Sequence, residues 1–192
     1  QTNAPNKFMG SGTLPSGAYV TLEHEYILIL RKGSKRAFND EGIKRRRRES
    51  AIFWEERNNW YSDVWMDIKG ITQGINDKEG RKRSAAYPFE LAYRLINMYS
   101  IQGDIVLDPF LGTATTIAAA MASGRNCIGY EIDKTLKEII CGTFTNIVSI
   151  SNDYTLERIR RHSQFVTERI NSGKQIKYTN GNYDFQVVTA FE

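Results

Sequence analysis

Apolar positions along the chain fall into short runs and regularly spaced faces. Residues 25–31 form an apolar run bounded by charge, which predicts a buried strand. Residues 33–50 are polar and basic and read as an exposed loop. Residues 51–71 carry Trp54, Trp60 and Trp65 beside Phe53 and Tyr61, and residues 72–84 are polar and turn-like. Pro88 suits the first turn of a helix, and Phe89, Ala92, Leu95, Ile96 and Tyr99 give that helix one apolar face. Residues 104–107 predict a short strand, with Gly112 in the turn that follows. Residues 115–123 predict a small-residue helix closed by Gly124, and residues 126–130 a second strand ending at Glu131. Asp153 is a candidate N-cap for a helix of about twenty residues, with Leu156, Ile159, Val166 and Ile170 on one face. Asn180-Gly181 between residues 175–179 and 183–188 predicts a hairpin with a two-residue turn.

Composition narrows the class. The chain has 192 residues, 41% hydrophobic and 25% charged, which fits a globular domain and excludes wholesale disorder. No run of 18 apolar residues exists, and residues 1–12 lack the basic and apolar regions of a signal peptide. Two cysteines and two histidines argue against a disulfide framework or a Cys/His zinc site, so a reducing cytosol and no metal are expected. The net charge of +4 is uneven. Residues 31–50 hold nine basic and three acidic residues, a local +6, and the rest of the chain sums to −2. A block of this kind suits phosphate binding, and equally a solvated face.

The chemistry lies in the strand–turn–helix–strand unit. Residues 105–108 run into the turn Pro109-Phe110-Leu111-Gly112-Thr113-Ala114, which feeds a helix N-terminus whose unpaired N–H groups can hold an acidic ligand group. Glu131 ends the next strand, where an acid of this fold type accepts ribose hydroxyls. Spacing alone also fits a plain α/β crossover with no ligand.

The residues themselves say more. Asp108-Pro109-Phe110-x-Gly112-x-Ala114-Thr115-Thr116 resembles motif I of the DNA amino-methyltransferases, Asp-Pro-Phe-x-Gly-x-Gly-Thr-Thr. Arg125 to Asp133 resembles their next motif, Arg83 to Leu91 resembles motif X, and Glu25 to Lys32 resembles motif VIII. The order VIII, variable segment, X, I is that of the β class. This resemblance implies an α/β, Rossmann-like class I methyltransferase fold, permuted, with an incomplete sheet in this chain. It divides the chain into residues 1–32 (end of the catalytic region and motif VIII), 33–82 (basic, Trp-rich target-recognition segment), 83–150 (cofactor region) and 151–192 (C-terminal helix and hairpin). The implied cofactor is S-adenosyl-L-methionine. Asp108, Pro109, Phe110, Gly112, Thr113, Thr115 and Thr116 would cradle it, Glu131 would take the ribose, and Tyr87 and Ser84 would lie near the methionine end. Phe110 could equally be a packing residue, and Thr116 and Asp133 helix caps. The implied partner is double-stranded DNA, with the target base flipped out of the helix. Lys44, Arg45, Arg46, Arg47 and Arg48 would bind phosphates and Trp54 would stack on bases, although a local core is the simpler reading for at least two of the tryptophans. Arg158, Arg160, Arg161 and His162 are weaker backbone-contact candidates, and His24 reads as structural. The implied setting is a restriction-modification system in the cytoplasm of a prokaryotic cell, with no membrane partner.

Two departures stand out. Ala114 replaces the family's second glycine, at a cost of about 1 kcal/mol if the position needs positive φ. The Pro-Pro-aromatic motif that grips the target amine is missing, because none of the four prolines adjoins another. No catalytic residue is therefore assigned in this chain, and adenine and cytosine stay open as targets. The chain, which opens on Gln1, reads as the C-terminal part of a methyltransferase that needs an N-terminal catalytic part. The alternatives are a cofactor- and DNA-binding subunit of a two-chain enzyme and, less in keeping with the motif order, an RNA or protein methyltransferase.

Overall fold

The computed structural model describes residues 24–69, 87–181 and 184–188. The chain divides into two units, Gln1–Ala37 with Lys69–Pro88, and Phe38–Ile68 with Phe89–Glu192. In the first unit, residues 24–32 have no regular secondary structure. Tyr26, Ile27, Leu28, Ile29 and Leu30 are 45–91% exposed, so the buried strand expected at 25–31 is not formed. A strand exists only with a neighbour to bond, and no described residue pairs with this one. His24 lies 3.1 Å from the Tyr26 hydroxyl, an exposed local contact.

The second unit is built on a βαβ crossover. Strand β1 (Ile105–Asp108) pairs in parallel with β2 (Asn126–Gly129), Ile105 opposite Asn126 and Asp108 opposite Gly129. Helix α4 (Thr115–Ala122) joins them, and its alanines 118–120 are buried against the helices either side. Those helices are α3 (Phe89–Tyr99) and α5 (Lys137–Asn171), which both pack on α4. Small residues let α4 lie close, and Gly124 at φ 72° ends it as the sequence predicts. Helix α3 also starts where predicted. Its buried face, however, is Ala92, Tyr93, Arg94 and Ile96, while Tyr99 is exposed. One side of the two-stranded sheet stays open, with Ile105, Leu107 and Ile128 exposed.

Arg125 ties the helices to the sheet. It is 5% exposed and caps two helix C-termini at once, donating through Nε to Ser100 Oγ (3.1 Å), through Nη2 to Ser100 O (2.8 Å) and through Nη1 to Ser123 O. Burial pushes its guanidinium below the ordinary arginine range, and the two helix dipoles favour the cation.

Residues 33–50 are not wholly loop. Helix α1 (Glu41–Glu49) spans the arginine run. Asp40 caps it by accepting from Ile43 N (3.0 Å), and Arg46–Arg48 in the last turn complement the dipole. Helix α2 (Trp54–Trp60) follows and packs in a charged, aromatic layer. Arg158 donates to both carboxylate oxygens of Glu56 (2.6 and 2.7 Å) and to the Tyr93 hydroxyl. Burial is the largest single influence on Arg158 and works to lower its pKa, but the Glu56 bonds together with the electrostatic effects of Tyr93, Glu56 and Tyr154 hold the guanidinium above its ordinary value. Arg94, 5% exposed, is gripped by Asp67 and by Glu90 (2.7 Å), and Tyr154 donates to the other Glu90 oxygen. Trp60 is buried, edge-on to Tyr93, and Trp65 donates to Trp60 O (3.0 Å), so these two are local core.

Helix α5 is far longer than the twenty residues expected, and Asp153 lies inside it rather than capping it. Within it, short polar side chains are accommodated by bonding the carbonyls four residues back: Thr143 to Ile139 O, Thr145 to Cys141 O and Asn146 to Gly142 O. Leu156 and Ile170 are exposed; Ile147, His162 and Val166 are the buried positions. His162 is fully buried, stacked on Phe53, with Nδ1 2.8 Å from Glu55 and Nε2 3.1 Å from Gln186 O. It is thus a packing residue, and the DNA-backbone contact considered for it from the sequence is not available to a fully buried ring. Strands β3 (Tyr178–Thr179) and β4 (Gln186–Val187) form the hairpin. The turn is longer than two residues, because Asn180 N bonds Phe185 O (2.7 Å) and Asp184 N bonds Asn180 O (3.0 Å). No helix among the described residues is long and apolar enough to cross a membrane.

Candidate cofactor site

The carboxyl ends of β1 and β2 carry the motif residues, the usual place for a ligand in an open α/β sheet. The pairing of the strands runs on into the loop: Tyr130 N donates to Asp108 O (2.9 Å) and Leu111 N to Tyr130 O (2.8 Å). Asp108 then organises the turn. One of its oxygens accepts from Phe110 N (3.0 Å), the other from the Thr116 hydroxyl. Glu131 reaches across from β2, accepting from Gly112 N (2.8 Å) with one oxygen and from Asp133 N (2.7 Å) with the other. Asp133 in turn caps the short 3-10 turn Lys134–Leu136 through Thr135 N (2.9 Å).

The loop backbone is unusual in two places. Gly112 has φ 57°, which glycine adopts freely. Ala114, the N-cap of α4, has φ 68°, so the position does require the left-handed region. Its methyl is fully buried in a cluster with Leu111 and Ile117. Having no side-chain oxygen, Ala114 makes no side-chain cap to α4. A helix N-terminus beside two carboxylates and a Phe110 ring that is 87% exposed is a set of groups suited to a ligand with its own carboxylate, a cationic centre and hydroxyls.

Of the residues singled out in the sequence, Asp108, Pro109, Phe110, Gly112, Thr113, Thr115, Thr116 and Glu131 meet at this edge. Thr116 is buried and bonded to Asp108, so it holds the turn from beneath. Tyr87 is half-buried and belongs to the first unit, and Ser84 lies outside the described residues. Leu111 and Gly129 carry more than the motif suggested. Leu111 is buried against Gly129, where a Cβ would come within 2.7 Å of Leu111 Cδ1. The unspecified position of the motif is therefore the loop's apolar anchor. Thr143 of α5 also reaches Thr113 O (3.4 Å).

The basic residues stand elsewhere. Helix α1 is fixed to the turn before β1: Gln102 N donates to Ser50 Oγ (2.8 Å), Gln102 Nε2 donates to Glu49 O (3.1 Å), and the Arg46 guanidinium lies over Gly103. That is the amino end of β1, one strand length, about 13 Å, from the cradle. Lys44 pairs with Glu41 (2.6 Å), Arg45 with Glu49 (3.6 Å), and Arg47 lies 4.2 Å from the Phe38 ring. Arg48 is exposed. Trp54 is half-buried, flanked by Phe165 and by Arg169, so its ring is committed to packing.

Comparison with known proteins agrees with this geometry. The DNA methylase family of N6 and N4 type matches residues 3–141. Over all 192 residues the chain is 56% identical to the Type II methyltransferase M.MthZI of Methanothermobacter thermautotrophicus, covering 53% of it. It is 53% identical over 139 residues to the Type II methyltransferase M.MjaI of Methanocaldococcus jannaschii, 72% of this chain and 44% of that protein. A solved structure of a protein from Thermus thermophilus, assigned as a DNA modification methylase and complexed with S-adenosyl-L-methionine, superposes with a TM-score of 0.57 at 32% identity. That match covers 72% of this chain and 50% of the other. The chain spans about half the length of these relatives. With the motif residues gathered at one sheet edge and most of its length matched, the chain belongs to the N6/N4 DNA methylase family and carries part of its α/β methyltransferase fold.

Proposed function

We propose that this chain is the cofactor-binding part of a site-specific DNA methyltransferase, one that moves a methyl group from S-adenosyl-L-methionine to an exocyclic amine of adenine or cytosine in duplex DNA. A place in a restriction-modification system is in keeping with relatives named Type II methyltransferases. The observation that carries the reading is the cradle: two bonded carboxylates, a glycine turn and a helix N-terminus at one edge. The cofactor would supply an electrophilic methyl on a sulfonium. The N-terminus of α4 would receive its carboxylate, Glu131 its ribose hydroxyls, and the Phe110 ring its cationic or aromatic part. The protein's work is then placement.

The gripping motif for the target amine, and the cover for the open sheet face, would come from a companion N-terminal part. Parallel sheets are normally buried on both faces, so exposed Ile105, Leu107 and Ile128 suit such a neighbour. Lys44, Arg45 and Arg48 would meet DNA phosphates. The surface ion pairs of the first two are weak enough to exchange. The setting that fits is the cytoplasm of a prokaryotic cell.

The test is transfer of labelled methyl to duplex DNA by the protein together with its companion part. Label on an adenine N6 or cytosine N4 supports the proposal. Label on RNA or protein alone, with none on DNA, contradicts it.

A further inference from the structure

Glu131 does more in this structure than wait for a ligand. Its two carboxylate oxygens each hold one backbone N–H, Gly112 of the β1–α4 loop at 2.8 Å and Asp133 of the segment after β2 at 2.7 Å. These loops leave neighbouring strands at the same edge. We propose that Glu131 is a clasp that fixes the β1–α4 loop in its binding geometry before any cofactor arrives, and that this positioning role is separate from contact with the ribose.

The chemistry of a carboxylate allows both roles together. Two oxygens offer about four lone-pair directions, and the two N–H groups use two of them. The other two match the two hydroxyls of a ribose, which is where the inference rests on the cofactor reading above. Charge-assisted bonds to backbone N–H are stronger than neutral ones, so the clasp outweighs the freedom that glycine gives the loop at Gly112. The space beside Gly112 is open: among the described residues a Cβ there would meet only Phe110 O, at 4.0 Å. Its neighbour Leu111 is anchored by packing and by Tyr130 O, so Glu131 secures the next residue along, where that anchoring ends. The clasp demands glutamate. A glutamine would turn its NH2 group towards one of the two N–H donors, and an aspartate is one methylene too short to keep both bonds.

The experiment uses the whole protein without cofactor and follows amide hydrogen exchange. In Glu131→Ala, which removes both acceptor oxygens, the Gly112 and Asp133 amides should exchange about ten- to a hundredfold faster, the loss expected for a charge-assisted bond. The amides of Ala119 and Val166, in the cores of α4 and α5, should keep their rates. Unchanged exchange at Gly112, or equal acceleration everywhere, overturns the clasp. Affinity then separates the two roles through an S-adenosylmethionine analogue whose ribose lacks both hydroxyls. A residue acting only on the ribose leaves wild type and Glu131→Ala equal towards this analogue, which would overturn the contribution to binding. The clasp predicts a remaining loss of about tenfold for the variant. Should neither protein bind S-adenosylmethionine, the cofactor reading fails, while the exchange result still decides the clasp.

Discussion

At Ala114 two effects oppose each other. Alanine at φ 68° costs about 1–2 kcal/mol against glycine. Its fully buried methyl returns about 0.8 kcal/mol of burial, and alanine saves a further 0.5–1 kcal/mol or so of backbone entropy. Ala114→Gly should therefore unfold in urea within about 1 kcal/mol of the wild type, a near-cancellation of these terms. Ala114→Val, β-branched at positive φ in a filled site, should lose more than about 2 kcal/mol. Gly129 is constrained differently. A methyl there meets Leu111 at 2.7 Å and pushes the loop's anchor out, so Gly129→Ala should cost about 1–3 kcal/mol and weaken cofactor binding as well. Equal melting curves for Gly129→Ala and wild type would refute the packing role of Leu111. The sequence shows that Ala114 departs from a motif and that Gly129 precedes an acid. It does not show which backbone angle the first adopts or which side chain lies over the second, because both depend on how the loop folds back across the strand.

Among the elements, the crossover was legible because every boundary has a local cause: a short apolar run, a glycine at the turn, a glycine closing the helix. Helix α1 was hidden by its charge. An arginine run looks like a solvated loop until Asp40 is recognised as a cap and the arginines as a favourable last turn. Helix α5 was hidden by Ser149, Asn152 and Asp153, polar residues that resemble a helix start but do not interrupt one. The segment at 25–31 failed in the other direction, since its apolar run is a property of sequence and its ladder a property of neighbours.

The layer joining α2, α3 and α5 is held by charge and can be tested by charge. Arg158 and Glu56 are both largely buried, so Glu56→Gln should cost about 3–5 kcal/mol by leaving the cation short of its partner. Replacing both, Glu56→Leu with Arg158→Met, should recover much of that in a double-mutant comparison of urea midpoints. Asp67 sets a pH dependence. The Arg94 bond holds its carboxyl below the usual aspartate range, against the opposing effect of burial. A carboxyl depressed in the folded state contributes stability that is present above its unfolded pKa, about 3.9, and is lost as pH falls through the lower folded value. Acid titration should therefore loosen the Asp67–Arg94 junction below about pH 4, and Trp65 fluorescence should follow it. In Asp67→Asn that acid step should be absent.

At the scale of the molecule, what stands out is how small the parallel sheet is among the described residues. Two parallel strands with one apolar face open are a small part of an α/β layer, and the chain spans about half the length of relatives such as M.MthZI. An exposed face of this kind favours association, so if the proposed companion part covers it, that part should raise the solubility of this chain, read as the monomer fraction in light scattering. Equal monomer fractions with and without it would count against that role. Titration calorimetry of S-adenosyl-L-methionine into the protein asks whether this edge is a cofactor cradle. Saturable binding is expected, falling by at least about tenfold in Glu131→Ala. Absence of binding to the wild type, or equal affinity in the Glu131 variant, would contradict it.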